Sequence, residues 1–218
     1  MYKSGSRKLQ YKRITGYEGE VPLPGLWRRA PMARRRSLGE YRAIDLFCFA
    51  LMLALFEPVL HLAATKLFPA EPYSVSAAAA ITAIVLMRWG PWAGIHAALG
   101  GVLVCLLAKA RADQYLIYGL GNLLSLASLL LLKAWGKEET RKDALRSIGF
   151  ALMTALLMQL GRALVALVLG NGLGVSLGFF TTGVITDLFT VVVVWIARRL
   201  DGIFEDQIHY LLRIQKEP

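Results

Sequence analysis

A handful of side chains in this sequence are ionisable yet sit inside long apolar runs: Glu57, His61, Arg162 and Asp187. Glu57 and His61 are four residues apart, one helical turn, so a carboxylate and an imidazole share a helix face. Arg162 offers a planar fork of donors that matches a carboxylate or a phosphate, while Glu57 and Asp187 can accept from an amine or a ring N–H. Uncharged polar groups extend the pattern. Tyr118, Asn122 and Ser125 are spaced four then three, Gln159 precedes Arg162 by three, and Gly183, Asp187 and Thr190 again run four then three. A charge deep in lipid costs roughly 2.5 to 3.5 kcal/mol, so each such group needs a polar partner or a wet cavity. The chemistry on offer is therefore the binding of a polar solute, with Glu57, His61, Tyr73, Tyr118, Asn122, Gln159, Arg162 and Asp187 as candidate binding residues.

Plainer roles stand beside these. Arg162 and Asp187 can neutralise each other as a buried pair, and Glu57 with His61 can face an empty, water-filled cleft. Asn122 and Gln159 can serve as interhelical glue worth roughly 0.6 kcal/mol, and His96 reads as structural.

The elements that must position these groups are helices in a membrane. Hydrophobic residues make up 56% of the chain and mean hydropathy is +0.50, above the roughly 45 to 50% of soluble domains. Apolar runs extend over Asp45–Thr65, Tyr73–Met87, Pro91–Ala108, Gln114–Leu132 and Ser147–Leu169, and a last one follows the glycine-rich turn Gly170–Gly178 and ends near Ala197. The second is short for a crossing and should be shielded by its neighbours. The expected fold is all-α and polytopic, with six transmembrane helices over residues 41–199. A basic, disordered arm is expected at 1–40 and an interfacial amphipathic helix at 200–218.

Lysine and arginine orient the bundle. With the N-terminus cytoplasmic, twenty-one fall on the cytoplasmic side and three, Lys66, Lys109 and Arg111, outside, so both termini are expected inside, in a bacterial plasma membrane. At about 1.5 Å per residue from the outer helix ends, His61, Arg162, Asn122, Glu57 and Asp187 then lie roughly 8 to 14 Å deep, one slab in the outer half.

Several function classes drop out. The net charge of +10 is concentrated in the tails and one loop, which favours a membrane surface over nucleic acid. No Walker sequence, zinc-protease motif or Gly-x-Ser-x-Gly elbow occurs, so no catalytic residue, metal or cofactor is expected. Cys48 and Cys105 sit in separate apolar segments and are expected to pack, not to pair, and no cleavable signal precedes the first apolar run.

Ala50 and Ala54 complete the reading. Four apart in the cytoplasmic half of the first helix, they leave a groove where another helix can approach. With six helices in a basic protein of this size, this Ala-x-x-x-Ala pair resembles the substrate-binding S component of energy-coupling factor vitamin transporters, over roughly Arg42–Arg199. The resemblance implies capture of a vitamin or similar micronutrient from outside, under external turns near Ala70 and Gly170–Gly178. It also implies that Ala50 and Ala54 dock on a transmembrane coupling subunit, which works with two ATPase subunits. An ion-coupled secondary transporter is the alternative, although the two halves show no internal repeat. An intramembrane enzyme using Glu57, His61 and Asp187 is a further one. Ala50, Ala54, Glu57 and His61 lie near one stripe, so a kink at Pro58 is expected to separate a docking face from a cavity face.

Overall fold

The structure, a computed structural model, describes residues 37–70 and 74–214. Among them it contains helices and no strand. Tyr73 and most of the basic arm lie outside the described residues.

Among the described residues five helical stretches are apolar and long enough to cross a membrane: Leu38–Leu67, Ala78–Leu107, Ala112–Trp135, Ala144–Val168 and Leu173–Ala197. These are the dimensions of a membrane protein. The first is one helix, α1 (Leu38–Leu67), unbroken through Pro58. The second comprises α2 (Ala78–Trp89), a single 3-10 turn at Gly90–Trp92, and α3 (Ala93–Leu107). It is not a straight rod. Gly90 adopts φ +61°, a conformation open to glycine, and Pro91 follows. Beyond that break Gly100 lies so near Ala78 that an added Cβ would sit 2.4 Å from the alanine's own. Along one straight helix these residues would be roughly 33 Å apart, so α2 and α3 form a hairpin.

The short α2 is the centre of the molecule. All twelve of its residues are buried, packed by α1, α3, α7 and α9. At about 18 Å it is shorter than a hydrocarbon core, and protein surrounds it. It begins at Ala78, not Tyr73: residues 74–76 carry no regular secondary structure and Ala77 is a bend.

The third stretch was expected to be one α-helix. It is α4 (Ala112–Gly121), a seven-residue 3-10 segment Asn122–Ser128, and α5 (Leu129–Trp135). With three residues per turn, Asn122, Ser125 and Ser128 align on one face, and all three are fully buried. Thr154 of α7 (Ala144–Val168) donates to Ser128 Oγ at 3.0 Å along this line. Between them lies the charged α6 (Lys137–Lys142). The last stretch is α8 (Leu173–Thr182) and α9 (Val184–Ala197), joined at Gly183. Residues 173–178, expected as part of a glycine-rich turn, are helical. Only Leu169–Gly172 turn, since Gly172 is extended and α8 begins after it.

At the end of the bundle that carries α6, the chain folds back on itself after α9. Arg88 forms a bidentate pair with Asp45, at 2.7 and 2.6 Å, and donates to the carbonyls of Gly202 and Ile203. Phe204 is buried against Phe150, Lys137 pairs with Asp206 at 2.5 Å, and Glu205 meets Arg141 and Arg213. The short α10 (Gln207–Ile214) ends the described chain, with Ile208 and Leu212 exposed.

Candidate small-molecule cavity

The opposite end of the bundle holds a cavity of about 320 Å³. Its wall takes Glu57, His61, Ala64 and Phe68 from the end of α1 and its following turn, Ser74 to Ser76 from the segment before α2, Val104 and Leu107 from α3, Tyr118 from α4 and Arg162 from α7. Four of the expected binding residues, Glu57, His61, Tyr118 and Arg162, therefore face one space.

Glu57 is held from both sides. It is 1% exposed, accepts from Ser76 Oγ on one oxygen and from the Ala77 backbone N–H at 3.1 Å on the other. At the start of α2 the N-cap residue Ala77 has no capping side chain; Ser76 Oγ accepts from Ala78 N–H at 3.1 Å, and the Ala77 N–H is left for a partner from elsewhere. A carboxylate from α1 fills that role, favoured by the partial positive charge of a helix N-terminus. The same segment is tied on its far side to α8 and α9: Ser74 N–H donates to Thr182 O at 3.2 Å, and Thr186 Oγ1 donates to Ser74 O at 2.9 Å.

Arg162 is positioned by a close helix crossing. A Cβ on Gly161 would lie 1.9 Å from Gly121 O, and one on Gly121 would lie 2.6 Å from Arg162 N, so only glycine lets α4 and α7 meet this closely. At that crossing Arg162 Nε donates to Asn122 Oδ1 at 2.7 Å, and Asn122 Nδ2 donates to Ala97 O at 2.8 Å. The guanidinium lies over the Tyr118 ring, 4.5 Å from its centroid. Asn122 itself is fully buried and does not reach the cavity wall.

Gln159 and Asp187 form a separate pair. Gln159 Nε2 donates to Asp187 Oδ1 at 2.6 Å, and neither lines the cavity. Gly183 makes room for this contact, since a Cβ there would meet Gln159 Nε2 at 2.3 Å. The buried pair between Arg162 and Asp187 is not formed: among the described residues no carboxylate lies within 4.0 Å of Arg162. Tyr73 lies outside the described residues. His96 is buried, with Nε2 2.9 Å from Leu46 O and its ring edge-on to Phe49.

The outward face of α1 differs from its cavity face. Phe49, Leu53, Glu57 and Ala64 are buried, Ala50 is half-buried and Ala54 is exposed among Leu51, Leu55 and Phe56. Along this unbroken helix Ala54 is about 60° around from Glu57 and exposed, whereas Ala50 is about 20° from it and half-buried, so of the two alanines only Ala54 is turned fully outward.

A second cavity of about 250 Å³ adjoins the first across Tyr118, between the start of α4 and α8. The Tyr118 ring meets Phe179 edge-on at 5.8 Å. Two functional features were not foreseen from residue types: Ser76, a direct partner of Glu57, and the Gly121–Gly161 contact that sets Arg162 beside Asn122. The only local signal of the second is that each glycine directly precedes its polar residue. Compared with protein-family models, curated proteins and solved structures, the chain matches none.

Proposed function

We propose that this protein captures a small water-soluble solute in the cavity walled by Glu57, His61, Tyr118 and Arg162, as the substrate-binding S component of an energy-coupling factor importer. The observation that carries the reading is the convergence of polar groups from separate helices on one space at the end of the bundle away from α6. In the proposed topology α1, α2, α3, the α4–α5 stretch, α7 and the α8–α9 stretch make six crossings. Both termini are then cytoplasmic, and the cavity opens outward in a bacterial plasma membrane. The solute is a vitamin or similar micronutrient, and ATP hydrolysis takes place on two partner ATPase subunits. The exposed face around Ala54, with half-buried Ala50 beside it, is the docking site for the transmembrane coupling subunit.

The test is to purify the tagged full chain from its own membranes in mild detergent and identify what stays bound. One membrane protein and two ATPase chains, lost from an Ala54→Trp variant, are expected. Ion-driven uptake by the chain alone in liposomes would contradict the importer reading and favour a secondary transporter.

A further inference from the structure

We infer that the solute held in this cavity is an organic anion, whose carboxylate or phosphate docks on the terminal nitrogens of Arg162. The inference rests on the reading of the cavity as a solute-binding site and names the chemical class of the solute.

Arg162 is 8% exposed, and what remains open lines the cavity. Its Nε is used by Asn122, whereas Nη1 and Nη2 donate to no atom among the described residues. The nearby carboxylates have other partners. Glu57 accepts from Ser76 and Ala77, and Asp187 accepts from Gln159. Tyr118 offers the face of its ring. A guanidinium this deeply buried, with four of its five N–H donors left unused by the protein and turned to the cavity, favours an anion there.

The arrangement also selects against a cation. Among the described residues Glu57 is the one carboxylate in the wall, and both its oxygens are turned to the segment before α2. The remaining surface is largely apolar, from Ala64, Phe68, Val104 and Leu107, which suits a carbon-rich body behind the charged group. Asn122 and Tyr118 fix the guanidinium plane before any ligand arrives, so little ordering is needed on binding.

Matched probes test this. The full chain in detergent micelles is titrated calorimetrically with indole-3-acetate against indole-3-acetamide, and with phenyl phosphate against phenol. The acid of at least one pair should bind about tenfold more tightly than its neutral partner, as expected for a charge-assisted, bidentate contact. The pair that shows the preference tells carboxylate from phosphate. Arg162→Gln should abolish the preference, and Arg162→Lys should keep it at weaker affinity. The wild-type comparison stands even where a variant fails to fold. Equal or tighter binding of both neutral compounds, a preference that survives in Arg162→Gln, or no saturable binding of either acid overturns the inference. Val104→Trp, which fills the cavity, separates the two levels. If it blocks probes that show no acid preference, the cavity reading stands and the anion assignment falls. If bound probes ignore it, both fall.

Discussion

Arg162 Nε and Asn122 Oδ1 lie 2.7 Å apart where Gly121 and Gly161 bring α4 and α7 into backbone contact. The amide is oriented from its other end by Ala97 O, so a backbone carbonyl of α3, a side chain at the start of the 3-10 segment and a guanidinium of α7 form one chain of hydrogen bonds. The charge that faces the cavity is thereby fixed by three helical segments.

Replacing Asn122 by Leu leaves Arg162 Nε without its partner, while Ala97 O keeps its helical bond to the N–H of Gly101. The expected loss is about 2 kcal/mol, given roughly 1 to 3 kcal/mol for a buried polar group left unsatisfied. Asn122→Asp keeps an acceptor for Arg162 and should cost less. It cancels the cavity charge, however, and should weaken binding of an anionic probe by roughly tenfold. Thermal unfolding in detergent and titration of each variant separate the two effects.

Gly161→Ala should destabilise by about 3 kcal/mol, the upper part of the usual range for overpacking, because its Cβ would lie 1.9 Å from a backbone oxygen that cannot swing away. Gly174→Ala is the control. Nothing lies within 4 Å of that position in α8, so the variant should be unchanged or more stable by about 0.5 kcal/mol. Equal Tm shifts in the two variants would contradict the close crossing.

These positions mark where sequence reading reaches and where it stops. Helical spacing within apolar runs exposes a polar side chain as an anomaly, and Glu57, Asn122, Gln159, Arg162 and Asp187 are all buried as that anomaly implies. Their partners are another matter. Whether Arg162 meets Asp187 or Asn122 depends on the angle at which two helices cross, and that angle is set by Gly121 and Gly161, forty residues apart in the chain. The role of Glu57 depends on where the segment before α2 returns to α1, and no local pattern encodes this. The hairpin at Gly90–Pro91 was legible, because glycine and proline act on the backbone locally. The 3-10 segment was not, because its Asn122, Ser125 and Ser128 fit a looser α-helical spacing almost as well.

Acid should loosen the end of the bundle that carries α6. Burial pushes the Asp206 carboxyl up, but the hydrogen bond and charge of Lys137, together with His209, more than offset this and hold it below the usual carboxylate range. Its folded value therefore lies under the unfolded one near 3.9. The stability it contributes is complete above that value and is lost as pH falls through the folded value. Asp206→Asn should lower Tm at neutral pH, and its gap to wild type should begin to close only as pH falls below about 4. A gap that does not narrow at all on the acid side of about pH 4 would exclude this contribution.

Ala54→Trp adds bulk on an exposed face, so the variant should unfold within about 0.5 kcal/mol of wild type, the usual range for surface changes. It should keep probe binding and lose uptake in cells. Unchanged uptake in Ala54→Trp and in Ala50→Trp would remove the docking assignment.

The most direct measurement is native mass spectrometry of the full chain purified from its own cells, compared with Val104→Trp. A single small solute that accompanies the wild type, is released on unfolding and is missing from the cavity-filled variant is the result predicted here. A wild-type chain that carries no solute and takes up none from a cell extract, or one whose bound molecule is retained in Val104→Trp, would contradict capture in this cavity.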